Sequence, residues 1–467
     1  MTERLFRASR DPFRILLFLL TVMTISRIHQ QFKWLSVLRP ALVATGLAVL
    51  YAFLRPQVVA HRPLLQTWPA KVIVAFLIWA CIGAPFGISF GNSASFLLNV
   101  YFKTIVYAFL LIAAIRSTED LKTLMWAYVI ATLLLVYTSL FVFKMQHYGS
   151  GAGYDRLAAG DTYDSNDIGL VLVLGMAFTL LAFTTSGIIG KLFCVGVLCL
   201  VGAGIAKTGS RGAFVGMLAL GVGMLLLIDR IPIAQRVTFI IVTIIGLSWF
   251  APPGYWKQMS TLQDPQSDYN WSSVNGRRQV AIRGMGYMMS YPIFGLGMHN
   301  FSKAECFISE KALNHEVGTG IRCTPPHNAY IEAGAELGIP GLALWLFIIP
   351  GGVIQMVMLR LKLPRSWARG DPEQRYLYCV VVYMTCGLLG YAFGSFFLSF
   401  AWTDVSYYLM AMIAGTWICV FDRLARDRAG LGTGPTSQTP AIAAGGSGWR
   451  AAASEAAVAR RLAAGGR

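Results

Sequence analysis

The 467 residues predict an all-α fold, a polytopic transmembrane helical bundle of about 12 spans, and three observations carry that prediction. Hydrophobic residues make up 56% of the chain and charged residues 13%, too apolar a balance for a soluble domain. Apolar runs of roughly 18–22 residues recur along most of its length, and about 20 helical residues cross a lipid core of about 30 Å. The runs lack the alternation of barrel strands, so helices are the way to satisfy the backbone in lipid.

Taken in order, the spans fall near 13–30, 35–54, 71–90, 96–115, 122–143, 166–186, 189–206, 211–228, 236–252, 339–360, 376–397 and 404–422. The first run lacks a small-residue cleavage site and continues into further spans, so it is expected to remain as a span. The net charge of +17 sits mostly in alternate connections. Arg4, Arg7, Arg10 and Arg14 precede the first span, and Arg360, Lys362, Arg365, Arg369 and Arg375 fill one connection. Arg55 and Arg62, Arg116 and Lys122, Lys191, and Arg230 and Arg236 continue the pattern, which is that of cytoplasmic loops and not of a nucleic-acid footprint. Both termini are then cytoplasmic.

This reading divides the chain into residues 1–252 with spans 1–9, an outside loop domain at 253–338 between spans 9 and 10, spans 10–12 at 339–424, and a disordered cytoplasmic tail at 425–467 with one short helix near 450–462. Three shorter outside pieces accompany the loop and converge on its face: 144–165, with Tyr154-Asp155-Arg156 and Gly160-Asp161-Thr162-Tyr163-Asp164-Ser165-Asn166-Asp167; the tight connection 207–212; and Trp402-Thr403-Asp404.

Water-facing chemistry concentrates in Cys323-Thr324-Pro325-Pro326-His327-Asn328-Ala329-Tyr330-Ile331-Glu332. Pro325 and Pro326 suit a first helical turn and Thr324 an N-cap, so a helix is expected over 326–337 with His327 inside its first turn. There the helix field favours a neutral imidazole and attracts anions. Glu332 and Glu336 pair four residues apart, and Gly338-Ile339-Pro340-Gly341 separates this segment, read as a short amphipathic surface helix, from the next span. The alternative reading is that His327 merely marks a wet helix start. A second helix begins at Gly276-Arg277-Arg278 and stops at Tyr291-Pro292; cations in its first turn oppose the macrodipole, which suggests a purpose such as phosphate binding. Arg278 and Arg283 diverge by about 140° around it, so at least one arginine is open to a structural role.

Arg211 stands at the mouth of an apolar span, as a ligand or as an interfacial anchor. Lys103 falls at mid-span, where a charge costs about 2.5–3.5 kcal/mol and is expected to face the bundle interior or an aqueous cavity. The scattered histidines and cysteines match no metal-ligand spacing, and no phosphate loop or dinucleotide fingerprint is present. Six cysteines lie in apolar spans; Cys306 and Cys323 lie outside them, on the oxidising face, and are expected to be disulfide-bonded.

Pro292-Ile293-Phe294-Gly295-Leu296-Gly297-Met298-His299-Asn300-Phe301 after a Gly-Arg helix, and the run from His327 to Gly341, resemble the bacterial O-antigen ligase and polymerase superfamily. Ser210-Arg211-Gly212 and the segment around Asn166 extend the likeness over roughly 150–345. The resemblance implies a glycosyltransferase-C-like membrane enzyme acting at the periplasmic face of the bacterial inner membrane, without metal, nucleotide sugar or other cofactor. Its donor would be an undecaprenyl-diphosphate-linked glycan and its acceptor the lipid A-core oligosaccharide. His327 would be the catalytic base or an acceptor-orienting group, and Arg211, Arg277 or Arg278, and Arg283 would bind the diphosphate. Asn328, Tyr330 and Asn166 would support them. A surface-polysaccharide polymerase or protein O-oligosaccharyltransferase carries the same motifs. A lipid-linked sugar transporter is the alternative of another class; it predicts broken spans and paired intramembrane charges.

Overall fold

The computed structural model describes residues 11–59, 63–148, 154–158, 163–228, 232–264, 266, 273–314 and 321–429. Arg4, Arg7, Arg10, Arg62, Arg230, Gly160-Asp161-Thr162 and the tail with its helix near 450–462 lie outside the described residues. Residues Met1–Phe421 form one compact unit; the second, Asp422–Arg467, contributes the end of the last helix, with an Arg423–Asp427 pair at 2.7 Å.

The first half holds α1 (Pro12–Ser26), α2 (Pro40–Leu54), α3 (Trp68–Gly83), α4 (Phe90–Ala114) and α5 (Thr118–Phe141). An antiparallel hairpin of β1 (Lys144–Tyr148) and β2 (Tyr154–Ala158) follows, in a stretch the hydropathy pattern left as loop. Four helices come next: α6 (Ser165–Thr185), α7 (Ile188–Thr208), α8 (Arg211–Leu227) and α9 (Ile233–Phe250). The long connection carries α10 (Arg277–Ser290) and α11 (Phe301–Phe307), and the chain ends with α12 (Ala329–Ile348), α13 (Pro350–Lys362), α14 (Pro372–Gly394) and α15 (Asp404–Arg428). Among the described residues ten helical stretches are long and apolar enough to cross a membrane, Ala329–Lys362 counting as one; α1 and α8 are shorter apolar helices. The protein is all-α apart from the hairpin, and polytopic by length and composition.

The apolar stretches of α6 and α14 are 83% and 89% buried, whereas those around α2 and α9 are 11% and 6% buried. α6 and α14 therefore form the centre, and the bare apolar faces of α2 and α9 suit lipid. α8 reaches α14 through small residues: a Cβ on Gly216 would lie 2.8 Å from the Gly390 carbonyl oxygen, so only glycine permits this backbone approach.

Two expectations are corrected here. The span at 339–360 does not begin after a separate surface helix. α12 runs through Gly338, whose φ of 71° kinks it while the Ile339 N–H donates to the Pro292 carbonyl at 2.8 Å. Its first turns are buried, because Glu332 and Glu336 face inward to accept N–H groups from neighbouring loops. Lys103 is exposed on α4, not turned into the bundle. The neighbouring Thr104 hydroxyl donates to Asp404, the first residue of α15, at 2.6 Å.

Candidate functional site

One end of the bundle gathers the β hairpin, the α7–α8 turn, the long connection and the α14–α15 loop. The connection has its own core of Val280, Tyr287, Leu296, Phe301, Ala304 and Ala335. It locks onto the α3–α4 corner through the Ile88 N–H to Leu296 carbonyl bond at 2.9 Å and the Ser93 hydroxyl to Met298 carbonyl bond at 2.9 Å. The Cys306–Cys323 disulfide, with Cα atoms 5.0 Å apart, ties α11 to the segment leading into His327.

His327 is not in a helical turn. α12 begins at Ala329 with Asn328 as its N-cap, the Asn328 Oδ1 accepting the N–H groups of Tyr330 at 2.9 Å and Ile331 at 3.1 Å. Asparagine outcompetes Thr324 for the cap because the two prolines hold the chain extended before it. Thr324 instead makes a local contact with Asn275 at 3.3 Å. His327 takes a left-handed φ of 48°, an uncommon conformation for a residue with a Cβ and a type of strain that clusters at functional sites. Its N–H donates to the Ser399 hydroxyl at 2.9 Å, so the α14–α15 loop and the α12 cap hold it from two sides. Tyr330 secures the same corner: its hydroxyl donates to the Ala392 carbonyl at 2.9 Å and its ring stacks on Phe396. Asn328 and Tyr330 thus position the histidine segment.

Burial draws the His327 imidazole well below its ordinary basicity, to about 4, and the Arg277, Arg322 and Arg156 charges add to this while Asp164 opposes it. The ring is therefore neutral at pH 7, through burial and arginines in place of the helix field expected from the sequence. These influences identify its surroundings. Arg277, the first residue of α10, is half-buried and acts on His327, whereas Arg278 is exposed. Arg156, on β2, donates to the Asn166 Oδ1 at 3.1 Å, which places Asn166 in a positioning contact with this arginine. Asp164 caps α6 through the N–H groups of Asn166 and Asp167. Arg211 opens α8 behind its Ser210 cap and donates to the Thr261 hydroxyl at 2.9 Å. The preceding turn at Gly209 lies against the Arg156 side chain.

Arg283, expected among the diphosphate ligands, is engaged elsewhere. Its Nε and NH2 donate to the Glu305 carboxylate at 2.8 and 2.6 Å, its NH1 to the Val274 carbonyl at 3.0 Å. Lys311 reaches the same carboxylate at 2.9 Å and the Tyr287 hydroxyl donates to it at 3.0 Å. A carboxylate on α11 neutralises this arginine, and spacing along α10 alone could not reveal it.

Ser399 and Arg322 carry no mark in the sequence, and Arg156 stands out there only as part of the outside piece 144–165, without a role. They come from three separate connections, and no local pattern links them to His327. Among the described residues no cluster of three or more His, Cys, Asp or Glu side chains could hold a metal ion.

A search of curated proteins finds no match to the chain. Residues 195–346, from within α7 through most of α12, match the O-antigen ligase family model. That stretch contains Arg211, Arg277, the disulfide and His327, whereas Arg156, Asn166 and Ser399 lie outside it. Over that stretch the chain is similar to the O-antigen ligase family, which supports the likeness to that superfamily read from the sequence.

Proposed function

We propose that the protein is an O-antigen ligase, transferring a glycan from undecaprenyl diphosphate to the lipid A-core oligosaccharide at the periplasmic face of the inner membrane. The observation that carries this reading is a neutral His327 held among arginines, within a domain of that family. The disulfide fits an oxidising compartment, and the basic connections at the opposite end fit cytoplasmic loops.

In the proposed mechanism Arg277, with Arg211 and Arg156 beside it, holds the donor diphosphate by charge-assisted hydrogen bonds. His327 takes the proton of the acceptor hydroxyl as its oxygen attacks the anomeric carbon. The acceptor O–C1 bond forms, the C1–O bond to phosphate breaks on the opposite face, and the diphosphate leaves with the electron pair. The anomeric centre inverts in one step, and the arginines supply charge that a divalent cation supplies in other glycosyl transfers. A bound diphosphate also offsets the positive charges that depress His327, so the base strengthens when the donor is in place.

Purified protein given polyprenyl-diphosphate glycan should elongate lipid A-core and not carrier-linked repeat units. Product with the repeat units alone would reject the ligase in favour of a polymerase. His327→Ala should abolish turnover while the protein stays folded.

A further inference from the structure

Beside the segment that carries His327 lies a cavity of about 280 Å³. Pro325, Pro326 and Ser399 form one wall, and His327 follows directly in the chain with its N–H on Ser399. The volume is just below the roughly 300–1,000 Å³ of drug-sized ligand sites, and suits one sugar ring.

The lining combines flat aromatic faces with carboxylates. The His299 ring lies parallel to Phe96, with centroids 4.3 Å apart and planes 8° off. His299 is held there at a φ of 62°, its N–H on the Glu336 carboxylate at 2.6 Å and its carbonyl accepting from Asn92 at 2.8 Å. Trp402 is fixed through its indole N–H, which donates to Glu336 at 2.8 Å. Glu332 and Asp404 also line the space. Glu332 accepts the Ala401 N–H at 2.9 Å and Asp404 the Thr104 hydroxyl at 2.6 Å. A carboxylate has about four acceptor positions, so both can take further donors. Arg27 enters from the end of α1 with its guanidinium 4.0 Å above the Tyr163 ring.

Carboxylates repel a phosphate but accept from hydroxyl groups, and aromatic faces pack against the apolar C–H face of a pyranose. Three carboxylates line this cavity against one guanidinium, that of Arg27, whereas three arginines and one carboxylate, that of Asp164, act on His327. We infer that this cavity is a subsite for one sugar residue of the acceptor glycan, next to the residue whose hydroxyl His327 deprotonates. The inference rests on the reading of His327 as the acceptor's base. It gives the enzyme a means of choosing its acceptor that is separate from donor binding.

The test uses the full chain in lipid nanodiscs, with carrier-linked glycan as donor and whichever acceptor turns over in the assay above. The lipid-free oligosaccharide of that acceptor is the binding probe, read by saturation-transfer NMR. Two variants perturb the cavity. Ser302→Phe fills it, and His299→Asn removes the ring while retaining a residue that tolerates left-handed backbone. Both should raise the acceptor KM at least about tenfold, with kcat and donor KM within about twofold, and should weaken saturation transfer to the probe. An unchanged acceptor KM, or a rise in donor KM instead, overturns the assignment. The exposed His299 side chain keeps the second variant informative should the filled cavity prevent folding. His327→Ala separates the two readings: it should abolish turnover yet still bind the probe, whereas full turnover removes the base and leaves the binding result to judge the cavity alone.

Discussion

Replacing Glu305 by alanine tests whether Arg283 belongs to the loop's own architecture or to the donor site. The Glu305 side chain is 0% exposed, and its partners Arg283 and Lys311 are 14% and 9% exposed, so the cations cannot turn readily to water. Lys311 also bonds Asn275 and the Arg322 carbonyl, both at 2.9 Å, so one carboxylate links α10, α11 and the segment leading to His327. Removing one partner of a buried pair costs about 3–5 kcal/mol, a large part of the roughly 5–15 kcal/mol that holds a domain folded. Burial raises the Glu305 pKa, but the Arg283 and Lys311 contacts outweigh it and leave it lowered. A lowered carboxylate contributes its full stability above the unfolded pKa of about 4.3, and that stability is lost as pH falls through the folded value. Wild type should therefore loosen in acid, and Glu305→Ala should be loose already at pH 7. Hydrogen exchange over 277–313 reads both effects, and Arg283→Met should loosen the same residues. A raised donor KM in Arg283→Met with unaltered exchange protection would return Arg283 to the diphosphate site and refute this reasoning.

Arg277→Ala should lower kcat/KM for the donor by about 10²–10³, the scale of losing one transition-state charge contact, while Arg278→Ala stays within about twofold; equal losses would show that the two share the role. With His327 drawn down to about 4, the free enzyme should keep its kcat/KM between pH 7 and 5, and an acid limb centred near the ordinary imidazole value of about 6.5 would contradict that environment. The same shift makes the unfolded chain take the proton first, so the His327 contribution to stability is present above about 6.5 and declines as pH falls toward about 4. Gly338→Ala places a Cβ 2.3 Å from the Ile293 carbonyl oxygen at a φ of 71°, and should lower thermal stability by at least about 1–3 kcal/mol; an unshifted melting curve would mean the kink is not needed.

Much of this was legible in the chain itself. Hydropathy sufficed for the helical bundle because lipid leaves the backbone no alternative, and ten long and two shorter apolar helices lie where the twelve runs predict them. Cys306 and Cys323 were the two cysteines outside the spans, and they are joined. His327, Arg211 and the Gly-Arg helix stood out as polar groups that an apolar chain does not keep without reason. What the sequence could not supply were relations between connections far apart in the chain. Two consecutive arginines look alike as letters, but α10 turns Arg277 toward His327 and Arg278 outward. Arg283 reads as a ligand in the sequence, whereas the fold pairs it with Glu305, and Glu332 and Glu336 read as a pair on one helix face, whereas the fold brings loop N–H groups to them. Helical periodicity and hydropathy are local and follow from residue type, whereas ion pairing and cap choice depend on which loops the tertiary fold brings together. The arginines around His327, and the cavity beside its segment, exist only once the fold has brought connections far apart in the chain to one end of the bundle.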